Sequence, residues 1–281
     1  MTLDLIPPGV RARLAGLRLV TRRAAGAGGI GLHASRDRGA GLEFAQYRPY
    51  EPGDEPRQID WKLYGRSDRF FVREAERESP VALWVLIDAS ASMAQRWASA
   101  RGLAACLGEL ALNGGDRFGW AVLGEEGLEL ATPATGVRQR DRLRRELAAE
   151  RGAGRFPDAA RLAPLWERIA SRDLVVVLSD FFDAEAVAVA TRLADAGREV
   201  LAIQLLTVAE RDFTFAGGHR FRDPETGEEL LGDADALRAD YLARLADARR
   251  ALAAEFEAHG IRHESHVADE PLDAPLRALF A

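Results

Sequence analysis

One carboxylate and two hydroxyls stand at alternate positions directly after a strongly apolar run. The run covers residues 81–87 and ends in Asp88, which Ser90 and Ser92 follow. Its length and composition predict a strand buried on both faces, as in a parallel sheet covered by helices. The D-x-S-x-S segment would then lie at the carboxyl end of the strand, where open α/β sheets bind ligands. These oxygen atoms suit a hard cation such as Mg²⁺, with helix N-capping by Asp88 as the structural alternative.

A second apolar run also ends in a carboxylate. Residues 173–182 read Asp-Leu-Val-Val-Val-Leu-Ser-Asp-Phe-Phe, which places Asp180 directly after a predicted buried strand. If the two strands are neighbours, Asp88 and Asp180 face one crevice, where their repulsion would raise a pKa. A divalent cation removes that repulsion. We therefore predict a site for Mg²⁺ or Mn²⁺ whose ligands are Asp88, Ser90, Ser92 and Asp180.

Strands and helices alternate from residue 81 onward, which predicts an α/β domain over residues 81–281 with a mostly parallel central sheet flanked by helices. The predicted strands cover residues 81–87, 118–123, 128–131, 174–178, 200–206 and 261–267. The predicted helices cover residues 94–112, 138–149, 158–170, 184–196, 235–259 and 272–280. A small hairpin is predicted at residues 221–231.

Residues 1–80 are expected to form a separate N-terminal part, an amphipathic helix followed by an aromatic-rich and arginine-rich β extension. Residues 9–23 have the spacing of a basic amphipathic helix, for which we favour docking on the body of the protein over binding to a membrane surface. Residues 40–80 are dense in aromatic and charged side chains. The acidic residues among them would repel phosphate, which favours a packing role over stacking on nucleic acid.

Composition excludes several broad functions. The chain has 281 residues and a formal net charge of -6, which argues against a general nucleic-acid binder. Its one cysteine, Cys106, precludes a disulfide within the chain and fits a reducing compartment. No apolar run approaches the ~20 residues of a membrane-spanning helix, and the first residues lack the layout of a secretory signal. We therefore expect a cytoplasmic protein without an integral membrane segment.

These motifs resemble those of known proteins. D-x-S-x-S, with a later Ser-Asp after an apolar strand, is similar to the metal-ion-dependent adhesion site of von Willebrand factor A domains. Residues 33–54, with Tyr-x-Pro-Gly-Asp, and residues 57–69, with Arg-x-Ile-Asp-Trp, resemble a bacterial family, the domain of unknown function numbered 58. That family carries a von Willebrand A-like domain. The resemblance extends over residues 30–270.

The resemblance implies a Rossmann-like fold of the von Willebrand A type. It also implies a protein–protein interaction module that works with a MoxR-type AAA+ ATPase, or with another protein that supplies an acidic residue, in assembly or chaperone-like activity. By position, Asp88, Ser90 and Ser92 would form the first metal-binding loop, and Asp180 would be the later acidic residue, often acting through a water.

One position departs from the family pattern. Where the adhesion site usually has a threonine in its middle loop, this chain has Arg155. A cation there would be repelled by a bound metal ion. The site is therefore expected to be partial or degenerate. Asp158 or a water would replace the missing ligand, or Arg155 would pair with Asp88 in place of a metal.

Two other functions remain open from the sequence. A metal-independent scaffold would make its partner contacts through residues 33–78, since arginine and aromatic residues are enriched at interaction hot spots. A Mg²⁺-dependent hydrolase would use the two aspartates to hold the ion. We expect a non-enzymatic protein, because the chain contains no H-E-x-x-H, G-x-S-x-G or P-loop motif.

Overall fold

The computed structural model describes residues 4–21, 43–51, 54–76, 80–125, 127–149 and 151–280. The chain divides into two compact units. The larger unit contains residues 1–19 together with residues 81–281, and the smaller contains residues 20–80. The first 19 residues thus belong with the α/β unit and not with the predicted N-terminal part of residues 1–80.

Helices and strands alternate along the larger unit, as the sequence predicts. The helices of the described chain are α1 (Pro8–Leu14), α2 (Trp61–Ser67), α3 (Trp97–Gly114), α4 (Val137–Glu146), α5 (Ala163–Arg168), α6 (Ala184–Asp195), α7 (Val208–Asp212), α8 (Ala234–Ala258) and α9 (Ala274–Phe280). The strands are β1 (Glu43–Pro49), β2 (Phe71–Glu76), β3 (Ala82–Asp88), β4 (Arg117–Gly124), β5 (Gly127–Ala134), β6 (Leu174–Ser179), β7 (Glu199–Leu206), β8 (Gly218–Arg222), β9 (Glu229–Asp233) and β10 (Arg262–Val267). Short 3-10 helices cover Pro56–Gln58 and Ala91–Gln95.

The central sheet of the larger unit has six strands in the order β10-β7-β6-β3-β4-β5. All neighbouring pairs are parallel except β4 with β5, which is antiparallel. Numbered along the chain, this is the 3-2-1-4-5-6 order of a doubly wound Rossmann-like sheet. The predicted α/β class and mostly parallel sheet are confirmed. The strand order reverses between β3 and β6, which is where ligands bind in such sheets.

β3 and β6 are buried along their whole length because each contributes side chains to two apolar cores. Leu83, Val85 and Ile87 face the core that contains α3 and α9. Trp84 and Leu86 face the core built with α5, α6 and Phe256 of α8. Coverage on both faces explains why these strands are continuously apolar rather than alternating.

Helix α1 packs on the α/β unit. Val10 and Leu14 are buried in the same core as α3. Arg13 donates two hydrogen bonds to the Asp273 carboxylate, at 2.8 and 2.7 Å. These contacts confirm docking for the helix, which ends at Leu14. Residues 22–23 of the predicted amphipathic segment lie outside the described residues.

Cys106 is buried in α3, and burial raises the pKa of its thiol to about 12, which makes it an inert core residue. Within the described ranges, no helix has both the length and the apolar content that crossing a bilayer requires.

The smaller unit is a two-stranded antiparallel sheet, β1 with β2, joined to helix α2. Asp60 caps α2 by accepting hydrogen bonds from the backbone of the first turn, and it also accepts one from the Tyr47 hydroxyl at 2.8 Å. Tyr64 stacks on Phe70 with ring centroids 4.4 Å apart, and Trp61 contacts both rings edge-on. The aromatic residues therefore pack mainly on each other, and Trp61 and Phe70 remain substantially exposed.

Candidate functional site

Asp88 is the last residue of β3, and its side chain is only 1% exposed. One carboxylate oxygen accepts a hydrogen bond from the Ser90 backbone N–H at 2.8 Å, and the other accepts from the Ser179 hydroxyl at 2.6 Å. Burial, helped by the negative charge of Asp180, raises the pKa of Asp88 to about 6 against the lowering effect of these hydrogen bonds. At neutral pH the group is therefore a largely ionised carboxylate in a poorly solvated place, which favours a nearby cation.

Ser90 and Ser92 place their hydroxyl oxygens 3.1 Å apart. Ser90 is buried, whereas Ser92 lies on the following 3-10 helix and is partly exposed. Adjacent oxygen ligands in an octahedral Mg²⁺ site with metal–oxygen bonds near 2.1 Å are about 3 Å apart. The spacing of the two hydroxyls therefore fits neighbouring positions around such an ion.

A second loop packs against the first through its backbone. The Ala91 N–H donates to the Gly154 carbonyl at 2.8 Å, and the Ala153 N–H donates to the Ala89 carbonyl at 3.2 Å. Gly152, in this second loop, has a φ of 111°, in the region that favours glycine. The loop in which the family has its threonine thus stands beside the D-x-S-x-S segment.

Arg155, in that loop, does not take the place of a metal. Its side chain is exposed, and within the described chain it forms no ion pair with Asp88. Its charge acts on Asp223, whose pKa is lowered chiefly by backbone hydrogen bonds and to a lesser degree by Arg155. Asp158 is also exposed, and it accepts a hydrogen bond from the Arg161 backbone at 3.0 Å, closing a turn. Neither residue joins the buried acids.

Asp180 follows β6 directly and is 1% exposed. One of its carboxylate oxygens accepts from the Phe182 backbone N–H at 3.1 Å, and its carbonyl accepts from the Gln204 side chain at 3.0 Å. β3 and β6 are parallel neighbours, with Ile87 opposite Leu178. The two acids therefore end adjacent strands at the reversal of strand order, which is the condition on which the predicted shared site depends.

A buried cation that the sequence did not indicate lies beside Asp180. Arg96 is 4% exposed, and its guanidinium lies 3.3 Å from the second Asp180 carboxylate oxygen. The same group pairs with Glu210, donates to the Ser92 carbonyl, and lies over the Phe182 ring at 5.5 Å. Arg96 therefore compensates the charge of Asp180, while Asp88 has no such partner in the described chain.

The donor set fits a hard cation at one end of the crevice. Asp88, Ser90 and Ser92 offer oxygen atoms alone, and no arginine pairs with Asp88 among the described residues. In the same part of the chain no group of three or more His, Cys, Asp or Glu side chains could hold a metal, so the serine hydroxyls are essential to the fit. Asp180 stands behind them, held by Arg96, where it would act on a bound ion through the second coordination sphere.

A groove with a volume of about 620 Å³ opens beside these residues, and Ser92 and Arg96 form part of its wall. Much of its surface is aromatic, contributed by Phe182, Phe213, Phe215, Phe221 and Tyr241. Within the described chain its lining contains no histidine, cysteine or lysine. The arrangement offers an oxygen-lined cation position next to a largely apolar groove.

Comparison with known proteins gives a family and several distant relatives. The model of the family described as "Protein of unknown function DUF58" matches residues 46–251. Proteins of Mycobacterium bovis and Mycobacterium tuberculosis, each named only as uncharacterized, are 27% identical over 257 residues, covering 88% of this chain and 81% of theirs.

Among solved structures, BatB from Bacteroides thetaiotaomicron is similar with a TM-score of 0.40 and 13% identity, over 71% of this chain and 95% of its own. The SpRpn10 VWA domain is similar with a TM-score of 0.38 and 12% identity, over 71% and 95% respectively. These scores are low, so the fold assignment rests on the strand order of this chain.

Proposed function

Given that this chain belongs to the family described as Protein of unknown function DUF58, we propose that it is a protein–protein interaction module with a partial metal-ion-dependent adhesion site. One observation carries the proposal. Asp88, Ser90 and Ser92 lie at the reversal point of the sheet beside an open groove, and the two serine hydroxyls are 3.1 Å apart, a spacing suited to Mg²⁺.

Each residue of the candidate metal site would have a distinct role. Asp88, Ser90 and Ser92 would hold Mg²⁺ or Mn²⁺, and Asp180 would orient the site from behind while paired with Arg96. The bound ion would supply an open coordination position for an acidic side chain of the partner. The adjacent groove would receive apolar side chains near that acid. The missing middle-loop ligand makes the site partial rather than complete.

We propose a MoxR-type AAA+ ATPase as the partner and an assembly or chaperone-like process as the context. The support is the family resemblance together with the site's capacity to accept an acidic side chain. The described groove lining has no histidine, cysteine or lysine, and its carboxylates Glu210 and Asp240 pair with Arg96 and Arg244, which favours a binding role over hydrolysis.

A metal-independent scaffold is the second candidate, and the exposed aromatic side chains of the smaller unit favour it. Trp61 is 60% exposed and Phe70 is 44% exposed, although both belong to a packed aromatic cluster. Such residues serve as interaction anchors.

Calorimetric titration with the purified ATPase separates the candidates. We expect binding in Mg²⁺ that is lost in a chelator and lost in Asp88→Asn, while Asp247→Asn, an exposed acid on α8, binds like the wild type. Binding that persists in chelator and in Asp88→Asn, but is lost in Trp61→Ala, would favour the scaffold instead. Phosphoester turnover that disappears in Asp88→Asn would favour a hydrolase.

A further inference from the structure

The groove beside Ser92 keeps large apolar side chains in contact with solvent. Phe182 and Leu230 both line it, and they are 51% and 61% exposed. An apolar cavity of about 150 Å³ is enough for one benzene ring, so a groove of about 620 Å³ can take several apolar side chains. Large apolar residues that are left exposed around a concavity are typical of a binding surface. We therefore expect a partner to cover them.

The aromatic part of the groove is preformed. Phe213 is buried, and the centroid of its ring lies 4.7 Å from that of Tyr241 and 5.9 Å from that of Phe221. Arg238 lies over the Phe213 ring at 5.7 Å and donates a hydrogen bond to the Phe215 carbonyl at 2.9 Å. Because these contacts fix the rings before anything binds, a partner does not have to order them, which lowers the cost of association.

The groove lining has one more positive than negative charge. Glu210 pairs with Arg96, and Asp240 pairs with Arg244. Arg222 also lines the groove, is exposed, and forms no ion pair within the described part of the chain. Three arginines against two acids thus leave the charge of Arg222 uncompensated. A cation in the candidate metal site would add a second position that attracts a carboxylate.

We propose that the groove binds a partner segment in which aromatic or large aliphatic side chains lie between two acidic residues. One acid would coordinate the ion in the candidate metal site, the apolar side chains would fill the groove, and the second acid would pair with Arg222. This inference rests on the proposed function and adds the sequence pattern that the partner must present. Basic segments would be rejected, because the bound ion and Arg222 would both repel them.

Peptide selection tests the proposal without an identified partner. Random peptides displayed on phage are selected on the immobilised protein in Mg²⁺, and the enriched sequences are synthesised so that fluorescence anisotropy can measure their dissociation constants. We expect aromatic residues or leucines between two acids in the enriched sequences. The same peptides should lose their affinity in chelator and on Asp88→Asn.

Adjacent residues of the hairpin formed by β8 and β9 supply a matched pair of variants for the groove. Leu230 and Leu231 are both more than half exposed, but successive residues of a strand point to opposite faces and only Leu230 is part of the described lining. Leu230→Ser should weaken binding of the selected peptides roughly tenfold, because less apolar surface is buried on binding. Leu231→Ser should bind like the wild type.

The arginines of the same hairpin supply a matched pair for the second acid. Arg222→Gln should weaken binding by up to about fivefold, the upper range for an exposed ion pair. The effect should disappear when the second acid of the peptide is replaced by its amide. Arg220→Gln, which removes an exposed pair with Glu229 outside the groove lining, should bind like the wild type.

The outcomes distinguish this inference from the proposed function. Peptides that require Mg²⁺ and Asp88 but bind Leu230→Ser as tightly as wild type would overturn the role of the groove and leave the proposed function standing. Apolar peptides that bind equally well in chelator and to Asp88→Asn would overturn the proposed function, and with it the role of the first acid. Failure to enrich any peptide in Mg²⁺ would overturn the inference, whereas titration with the ATPase tests the proposed function separately.

Sedimentation velocity tests a second copy of the chain as the occupant of the groove. We expect the wild type and Leu230→Ser to sediment identically. A wild-type dimer that Leu230→Ser converts to a monomer, while Leu231→Ser remains a dimer, would assign the groove to self-association and overturn the proposal.

Discussion

Asp88 combines burial with an ionisable group, which makes the metal-free fold sensitive to pH. Its pKa is raised from 3.8 to about 6, so the folded state binds a proton more tightly than the unfolded state. Protonation of Asp88 therefore contributes its full share to the free energy of unfolding below pH 3.8, and this contribution is lost as pH rises through about 6. Asp88→Asn should stabilise the metal-free protein by up to about 3 kcal/mol at pH 7, and the difference should vanish near pH 4. Urea unfolding in chelator at both pH values measures this difference in the free energy of unfolding. At pH 7, saturating Mg²⁺ should make the wild type more stable than Asp88→Asn.

Arg96 is almost fully buried and pairs with two acids, Asp180 and Glu210. Removing one partner of a buried ion pair leaves the other charge uncompensated, at a cost of about 3–5 kcal/mol. We expect that loss in Arg96→Met, with partial recovery when Asp180→Asn is added. Arg244→Met is the matched control, because Arg244 lines the same groove but is 79% exposed in its pair with Asp240. Chemical unfolding measures the free energy of unfolding of Arg96→Met and Arg244→Met. Equal losses in the two variants would show that Arg96 contributes no more than an exposed arginine.

The residues of the site divide into those predictable from sequence and those that are not. Asp88 and Asp180 follow apolar strands, and parallel neighbouring strands bring their ends together, so local pattern and topology sufficed. Arg96 could not be assigned, because its partners Asp180 and Glu210 are distant in sequence and only the fold brings them to it.

Element type was easier to predict than element boundary. All six strands of the central sheet occur within three residues of their predicted ranges. For β3, β4, β6 and β7 the reason is that nearly continuous burial produces an unbroken apolar run. The helix predicted over residues 158–170 is only Ala163–Arg168, with Pro164 in its first turn. The helix predicted from residue 94 begins at Trp97, after a 3-10 helix that positions Ser92. Both discrepancies occur where loops build the site, and loop geometry depends on contacts between distant segments.

The second loop depends on glycine at one position. Gly152 has a φ of 111°, and a Cβ there would lie 2.4 Å from the Cα of Ala94. Gly152→Ala should therefore displace the loop from the D-x-S-x-S segment and weaken Mn²⁺ binding, with a clear fall in thermal stability. Gly124→Ala is the control, because a Cβ there meets nothing within 4 Å and its φ is not in the left-handed region. Unchanged Mn²⁺ affinity in Gly152→Ala would mean that the loop does not support the site.

On the scale of the molecule, the N-terminal residues close the core of the α/β unit. Ile6, Val10 and Leu14 are buried with α3, so the beginning of the chain completes an apolar layer that α9 also covers. A helix of seven residues is not stable alone, so α1 depends on its contacts with the body of the unit. Its polar contact is Asp273, which precedes α9, is fully buried and accepts hydrogen bonds from Arg13.

This polar contact predicts a pH-dependent attachment of the N-terminal helix. The hydrogen bonds from Arg13 lower the pKa of Asp273 below its ordinary value of 3.8, so their contribution is complete above that pH and is lost as pH falls through the folded-state pKa. Arg13→Met should lower the melting temperature at pH 7 and speed amide exchange in residues 8–14. Arg11→Met, which removes the exposed pair with Asp4 from the same helix, should do neither. The difference in melting temperature between Arg13→Met and Arg11→Met should become smaller in acid, because a protonated Asp273 has no charge with which to attract an arginine at position 13. If the difference in melting temperature does not change with pH, the docking of α1 depends on its apolar side chains alone.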